Sequence, residues 1–314
     1  MIRAFVFPGQ GSQQVGMGRE LAEAFPSARE VFEEIDDALS QKLFRLMVEG
    51  PESDLVLTEN AQPALMAMSL AVVRVLAVEG KVTVGEGAAF VAGHSLGEYS
   101  ALAAAGALAV ADTARLLKRR GQAMQRAVPV GEGAMAALLG LSVADAEAVA
   151  AAATAEGGVC DVANDNSEGQ VVVSGDKDAV GRAVELAKEK GGRRSILLPV
   201  SAPFHCARMR PAADEMAEAL EKTAILPPRP ALIANVTAAP VDDPVEIRRL
   251  LVAQVTARVR WRESVLAMKE RGVEELVELG AGKVLAGMVR RIDREMSGRS
   301  IGAPADVEAF LESL

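Results

Sequence analysis

The pentapeptide Gly93-His94-Ser95-Leu96-Gly97 has the form G-x-S-x-G, with the apolar run AFVA before it and GEYSALAAAGAL after it. A strand ending on the first glycine and a helix leaving the second would hold the serine at a sharp corner, its hydroxyl projecting from the sheet edge. The glycines let strand and helix approach without Cβ clashes. The Leu96 amide would then open a helix, with its N–H toward any oxyanion that develops on an acyl group at Ser95. This pattern suits nucleophilic acyl chemistry. A plain turn with a capping serine is the alternative, and the pentapeptide alone does not choose between them.

A serine hydroxyl needs a base, and the chain has only two histidines. His94 adjoins Ser95, and neighbours in an extended segment point to opposite faces, so we read it as packed or hydrogen-bonded beneath the corner. His205 lies in VSAPFHCARM after a predicted strand, and loops at strand ends are where α/β folds carry site residues. We assign the base to His205. No Asp or Glu announces itself as the third member of a triad.

The elements that must position these residues follow from periodicity. IRAFVF (2–7) and AFVAGHS read as buried strands, each stopped by glycine or proline. SAREVFEEIDDAL reads as a helix with Ser27 and Glu30 spaced as a capping box. PALMAMSLAVVRVLAV (63–78) is apolar but short for a membrane span and carries Arg74, which makes it a buried helix. Another helix is expected over about 112–127. Residues 130–198 read as strand, helix, strand, strand, helix, strand, the ferredoxin-like order. We therefore expect an α/β fold: an α/β-hydrolase-like core with a largely parallel sheet, built from 1–129 and 199–314, plus a ferredoxin-like (βαββαβ) subdomain at 130–198. ALIANV (231–236) and EELVEL (274–279) are the later strands, with helices near 208–222, 244–255, 261–271 and 283–292.

Composition bounds the remaining possibilities. Half the residues are apolar and the net charge is −9, which argues against nucleic acid as a partner. The N-terminus lacks the apolar stretch of an export signal, and no membrane association is expected. Cys160 and Cys206 are too few for a disulfide framework and match no metal-ligand spacing. No metal is expected, Cys206 reads as a small buried residue, and a cytoplasmic location fits.

Six blocks in order, FPGQGSQ (7–13), GHSLGEYSAL (93–102), KRRGQAMQ (118–125), NDNSEGQVVVSG (164–175), SAPFH (201–205) and ELGAGKVLAGMVRRI (278–292), resemble the malonyl-CoA:acyl carrier protein transacylase family of bacterial fatty acid synthesis. The resemblance covers nearly the whole chain. It implies that Ser95 is malonylated, that His205 is base and then acid, and that a backbone carbonyl at Gln254 orients His205 in place of a carboxylate. It also implies an oxyanion hole from the backbone amides of Gln10 and Leu96. Arg120, rather than its neighbour Arg119, would hold the malonyl carboxylate, and Phe204 would crowd an α-methyl branch. The expected partners are malonyl-CoA and acyl carrier protein, with no cofactor and a monomeric chain.

One departure stands out: Arg258 occupies a position where the family often has proline, in the loop after Gln254. Arg193, Arg194, Arg208, Arg210 and Arg290 are candidates for steering an acidic carrier. A serine hydrolase on thioesters would share Ser95 and His205 but would not need Arg120. A carrier-docking module would not need an intact set of serine, histidine and arginine.

Overall fold

The computed structural model describes residues Met1–Leu314. Its strands in chain order are β1 (Arg3–Phe7), β2 (Phe90–Gly93), β3 (Gly133–Leu139), β4 (Cys160–Ser167), β5 (Gln170–Asp176), β6 (Arg194–Leu197), β7 (Leu232–Ile233), β8 (Pro240–Val241), β9 (Glu275–Leu279) and β10 (Ser297–Ile301). Six of them form one sheet in the order β10-β9-β1-β2-β7-β8. All pairings in it are parallel except β7 with β8. Parallel strands need both faces covered, and β1, β2 and β9 are almost wholly buried. The helix Thr58–Glu79 lies on one face, within the largest apolar core. Most of this helix is buried inside the protein. Trp261, Val265, Met268 and Val289 pack on the other face.

The second sheet has the order β4-β5-β3-β6, antiparallel throughout. The first and third strands of the segment are central and the second and fourth are at the edges, as in a ferredoxin-like unit. Helices Val143–Ala155 and Lys177–Glu189 cover one face through Val149, Ala153, Val180 and Ala183. The far end of β4 is joined to the larger body. Val259 N–H donates to Ala163 O (2.8 Å), and Asp165 N–H donates to Val259 O (3.0 Å). Arg262 reaches the fully buried Asp165 carboxylate at 3.0 Å.

The α/β class, the mostly parallel main sheet and the separate four-stranded sheet thus agree with expectation. Two local expectations do not, and two elements lie beyond the expected set. The helix expected at SAREVFEEIDDAL begins at Pro26 with Phe25 as its N-cap. Proline at the first helical position pre-sets φ, so the helix starts one residue before the expected Ser27 cap. The strand expected over 231–236 ends at Ile233. Beyond it the Asn235 side chain takes over the ladder, donating from Nδ2 to Gly93 O (2.7 Å) and accepting from Ser95 N–H (2.9 Å). A side-chain amide carries the same donor and acceptor as a peptide, so the backbone is free to turn away. Finally, β10 and the helix Pro304–Glu312 carry too little apolar alternation to announce themselves. Pairing with β9 decides the strand.

Candidate active site

β2 ends at Gly93, and the helix Gly97–Ala104 leaves at once. A Cβ on Gly93 would lie 1.9 Å from the Gly97 carbonyl group, and one on Gly97 would lie 2.2 Å from Phe7 O. Only glycine permits so tight a corner. Ser95 at its apex has φ of +54°, a conformation that costs a non-glycine residue energy and that persists only where surroundings enforce it. Here the Asn235 side chain holds its amide.

Ser95 Oγ lies 2.7 Å from His205 Nε2. His205 comes from the loop after β6, also at positive φ (+58°). Its Nδ1 lies 2.9 Å from Gln254 O. Gln254 is the last residue of the helix Pro244–Gln254. Final-turn carbonyls lack intrahelical donors and carry the negative end of the helix dipole, so this oxygen is available to accept from Nδ1–H. That contact fixes the tautomer, leaving the Nε2 lone pair toward the serine. Burial, reinforced by the nearby Arg120 cation, pulls the His205 pKa down to about 3. The imidazole is therefore neutral at ordinary pH.

Arg120 comes from the helix Val110–Ala127 and is almost wholly buried. Its Nη2 donates to Ser95 Oγ (3.1 Å) and Gln254 Oε1 (2.9 Å), and Nη1 donates to Gln62 Oε1 (2.8 Å). Its Nε has no partner. Burial lowers its pKa from the usual arginine value, yet the guanidinium stays charged. Arg119, one residue earlier, faces the other way and pairs with Glu215 at 2.9 Å. A cavity of about 570 Å³ opens over these groups, and Gln10, Ser95, Leu96, Arg120, Phe204 and His205 all line it. The backbone N–H groups of Gln10 and Leu96 donate to no protein acceptor. The Gln10 side chain is tied back through Thr58 and Gln62 to Arg120.

The remaining residues singled out above take quieter places. His94 Nε2 lies 2.8 Å from Asn166 Oδ1 and its ring is 5.8 Å from that of Trp261; burial lowers its pKa. Cys206 Sγ donates to Pro203 O, and burial pushes its thiol up to about 11. Arg258 pairs with Glu147 at 2.7 Å. Arg208 and Arg210 are held in ion pairs with Asp176 and Asp214. Arg193, Arg194 and Arg290 are exposed.

Sequence reasoning missed Glu98, Asn235, Gln62 and Thr58, which form the polar bed under the cavity. Glu98 is fully buried, and burial raises its pKa to about 7. An acidic residue three positions after the serine, on an otherwise apolar helix, was the available signal.

A fold of this shape, with a serine–histidine pair at a strand-to-helix corner, defines the class of enzymes that work through an acyl-serine intermediate. The family model "Acyl transferase domain" matches residues 4–303. Malonyl CoA-acyl carrier protein transacylase from Bacillus subtilis (strain 168) is 43% identical over 99% of this chain and 96% of its own length. The protein of that name from Escherichia coli (strain K12) is 45% identical over 98% of both chains. An acyl-carrier-protein S-malonyltransferase from Bartonella henselae superposes with a TM-score of 0.97 at 54% identity, covering 100% of this chain and 99% of the other. A malonyl-transacylase solved in complex with a type II polyketide acyl-carrier protein gives 0.96 at 40% identity, covering 100% of both chains. The chain belongs to the malonyl CoA-acyl carrier protein transacylase family.

Proposed function

We propose that the protein moves malonyl from malonyl-CoA to the phosphopantetheine thiol of acyl carrier protein in two half-reactions on Ser95. The observation that carries this is one oxygen with two neighbours: Ser95 Oγ lies 2.7 Å from a neutral imidazole nitrogen and 3.1 Å from a buried guanidinium. The first is what a nucleophile needs, and the second is what a donor with a free carboxylate needs.

In the first half-reaction, Ser95 Oγ attacks the thioester carbonyl while its proton passes to His205 Nε2. The tetrahedral oxyanion accepts from the Leu96 and Gln10 N–H groups. The C–S bond breaks, and the imidazolium returns the proton to the CoA thiolate. In the second, the carrier thiol gives its proton to Nε2 and attacks the malonyl-serine ester. The C–O bond then breaks, and Oγ recovers the proton. This is ping-pong chemistry. Gln254 O holds the imidazole throughout and stabilises its charged form, the part a carboxylate plays in a triad.

Arg120 grips the malonyl carboxylate bidentately. Its charge, with no counter-ion beside it, also repels the imidazolium and adds to burial in holding the His205 pKa low. A malonyl carboxylate seated on it would offset that charge and raise the basicity of His205. Acetyl-CoA brings no such anion. The substrate thus helps to switch on its own base. Phe204, buried at the cavity wall, crowds a branch at the malonyl α-carbon, so methylmalonyl-CoA is a poor donor. Two free, buried cysteines suit a cytoplasmic setting.

Intact-mass spectrometry after mixing with malonyl-CoA tests the first half. One malonyl adduct forms, and holo acyl carrier protein discharges it. Release of free malonate much faster than loading of the carrier would make the protein a hydrolase and end the transferase reading. The absence of any adduct would make it a docking module.

A further inference from the structure

The side-chain amide of Gln254 stands between Arg120 and a buried carboxylate. Its Oε1 accepts from Arg120 Nη2 at 2.9 Å. Its Nε2 faces only acceptors: Ser95 O at 3.0 Å, Glu98 Oε2 at 2.9 Å and Asn235 Oδ1 at 3.4 Å. An amide can present either end to a given side, and its neighbours decide which. Turned over, this one would set an NH2 against a guanidinium and an oxygen against a carboxylate. Of the three acceptors, Glu98 alone can be charged, and charge-assisted bonds are the stronger kind. The protonated acid keeps a carbonyl oxygen for the same bond, so the orientation survives either form.

Glu98 is placed for this task by the corner itself. It lies on the helix that leaves Ser95 and is fully buried. Its Oε2 also accepts from Asn235 N–H at 3.0 Å, and Asn235 in turn holds the Ser95 amide. Its other oxygen has no partner. Arg120 has no carboxylate in direct contact; its protein acceptors are Gln62 Oε1, Gln254 Oε1 and Ser95 Oγ. Without a fixed Gln254 oxygen, one of the two amide anchors of the guanidinium is lost.

We infer that Glu98 is a positioning residue for donor selectivity: it fixes the Gln254 amide with its oxygen toward Arg120 and so holds the guanidinium beside Ser95. This rests on Arg120 as the malonyl carboxylate holder. The Gln254 backbone carbonyl that serves His205 is a different atom, so the chemistry at Ser95 and the choice of donor separate in a variant.

The test measures kcat/KM for malonyl-CoA and for acetyl-CoA in Glu98→Ala, Glu98→Gln, Gln254→Met and Arg120→Ala, with circular dichroism and Tm recorded for each. Glu98→Ala lowers the malonyl value by about tenfold or more while the acetyl value changes by less than about threefold. Glu98→Gln, which keeps an oxygen for Gln254 Nε2, retains the malonyl preference. Gln254→Met, which keeps the backbone carbonyl but loses the amide bond to Ser95 O, lowers both values and shifts the malonyl-to-acetyl ratio as Glu98→Ala does, and in the double variant of Glu98→Ala with Gln254→Met that ratio falls no further than in either single variant, as expected of residues acting as one unit. Equal losses for both donors in Glu98→Ala would mean a merely structural role and overturn the inference. So would a lost preference in Glu98→Gln. Should Glu98→Ala fail to fold, an unchanged preference in Gln254→Met overturns it instead. Arg120→Ala separates the two levels. If that variant keeps the malonyl preference, the carboxylate-holding role of Arg120 has failed; if it loses the preference while Glu98→Ala keeps it, only the inference about Glu98 has.

Discussion

The protein uses arginines in two settings that differ in almost every physical respect. Beneath Ser95, Arg120 is dry, fixed by two amide oxygens and a hydroxyl, and without a direct carboxylate partner. On the surface, Arg193, Arg194 and Arg290 are exposed, and Arg119 spends its charge on Glu215. A buried, unpaired cation is a standing cost that a substrate anion can relieve, and the relief is large because water is excluded. A surface cation attracts from a distance through solvent and salt, which affects encounter far more than chemistry. On the function proposed above, the inner arginine chooses the donor, and the outer ones can at most choose a carrier.

The comparison can be broken at several points, beginning where the effect is greatest. Ser95→Ala should abolish the malonyl adduct in intact-mass spectra and lower transfer by about 10⁴-fold or more. A persisting adduct would point to another nucleophile. Arg120→Ala should lower malonyl kcat/KM by about two to three orders of magnitude, the loss expected when a buried pair is broken, while relative activity toward acetyl-CoA rises. An unchanged donor ratio would remove the inner arginine from its role.

The same variant sharpens the electrostatics. Arg120 and burial both hold the His205 pKa down, and replacing the guanidinium by a small side chain weakens both. The acid limb of the pH–rate profile, read with acetyl-CoA, should therefore move to higher pH than in the parent protein. Movement to lower pH would contradict the sign of the coupling.

On the outer surface, Arg193→Glu with Arg194→Glu should raise KM for acyl carrier protein by roughly tenfold at low salt and much less at high salt, with malonyl-CoA loading unchanged. A loss that ignores ionic strength would mean that these residues do more than steer. Arg119→Ala should be the mildest change, since exposed ion pairs contribute about 0–1 kcal/mol. Malonyl preference in that variant should equal that of the parent, in contrast to its neighbour at 120.

Much of the fold and part of the site were legible in the residues alone. The strand–glycine–serine–glycine–helix sequence fixes the corner locally, because the steric demand for glycine at 93 and 97 is met within a few residues and the neighbouring β1. The chain holds only two histidines, which leaves few candidates for a base, and the order strand, helix, strand, strand, helix, strand over 130–198 marks the ferredoxin-like segment. The strand at 231–236 was over-read because nothing in ALIANV says that a side-chain amide will replace the backbone after Ile233. The weakly patterned β10 was invisible because its partner, not its own sequence, makes it a strand.

What sequence by itself determined is therefore the local chemistry: a strained serine corner, a histidine in a strand-end loop, and a short-range helical and strand order. What only the tertiary structure decided is which groups share the dry space under that corner. Arg119 and Arg120 are adjacent in the chain, yet one faces Glu215 and the other Ser95. Glu98, Gln254, Asn235 and Arg120 come from distant segments. The physical reason is that the free energy of a buried polar group depends on its completed set of partners, and that set exists only once the sheet, its covering helices and the loop carrying His205 have packed.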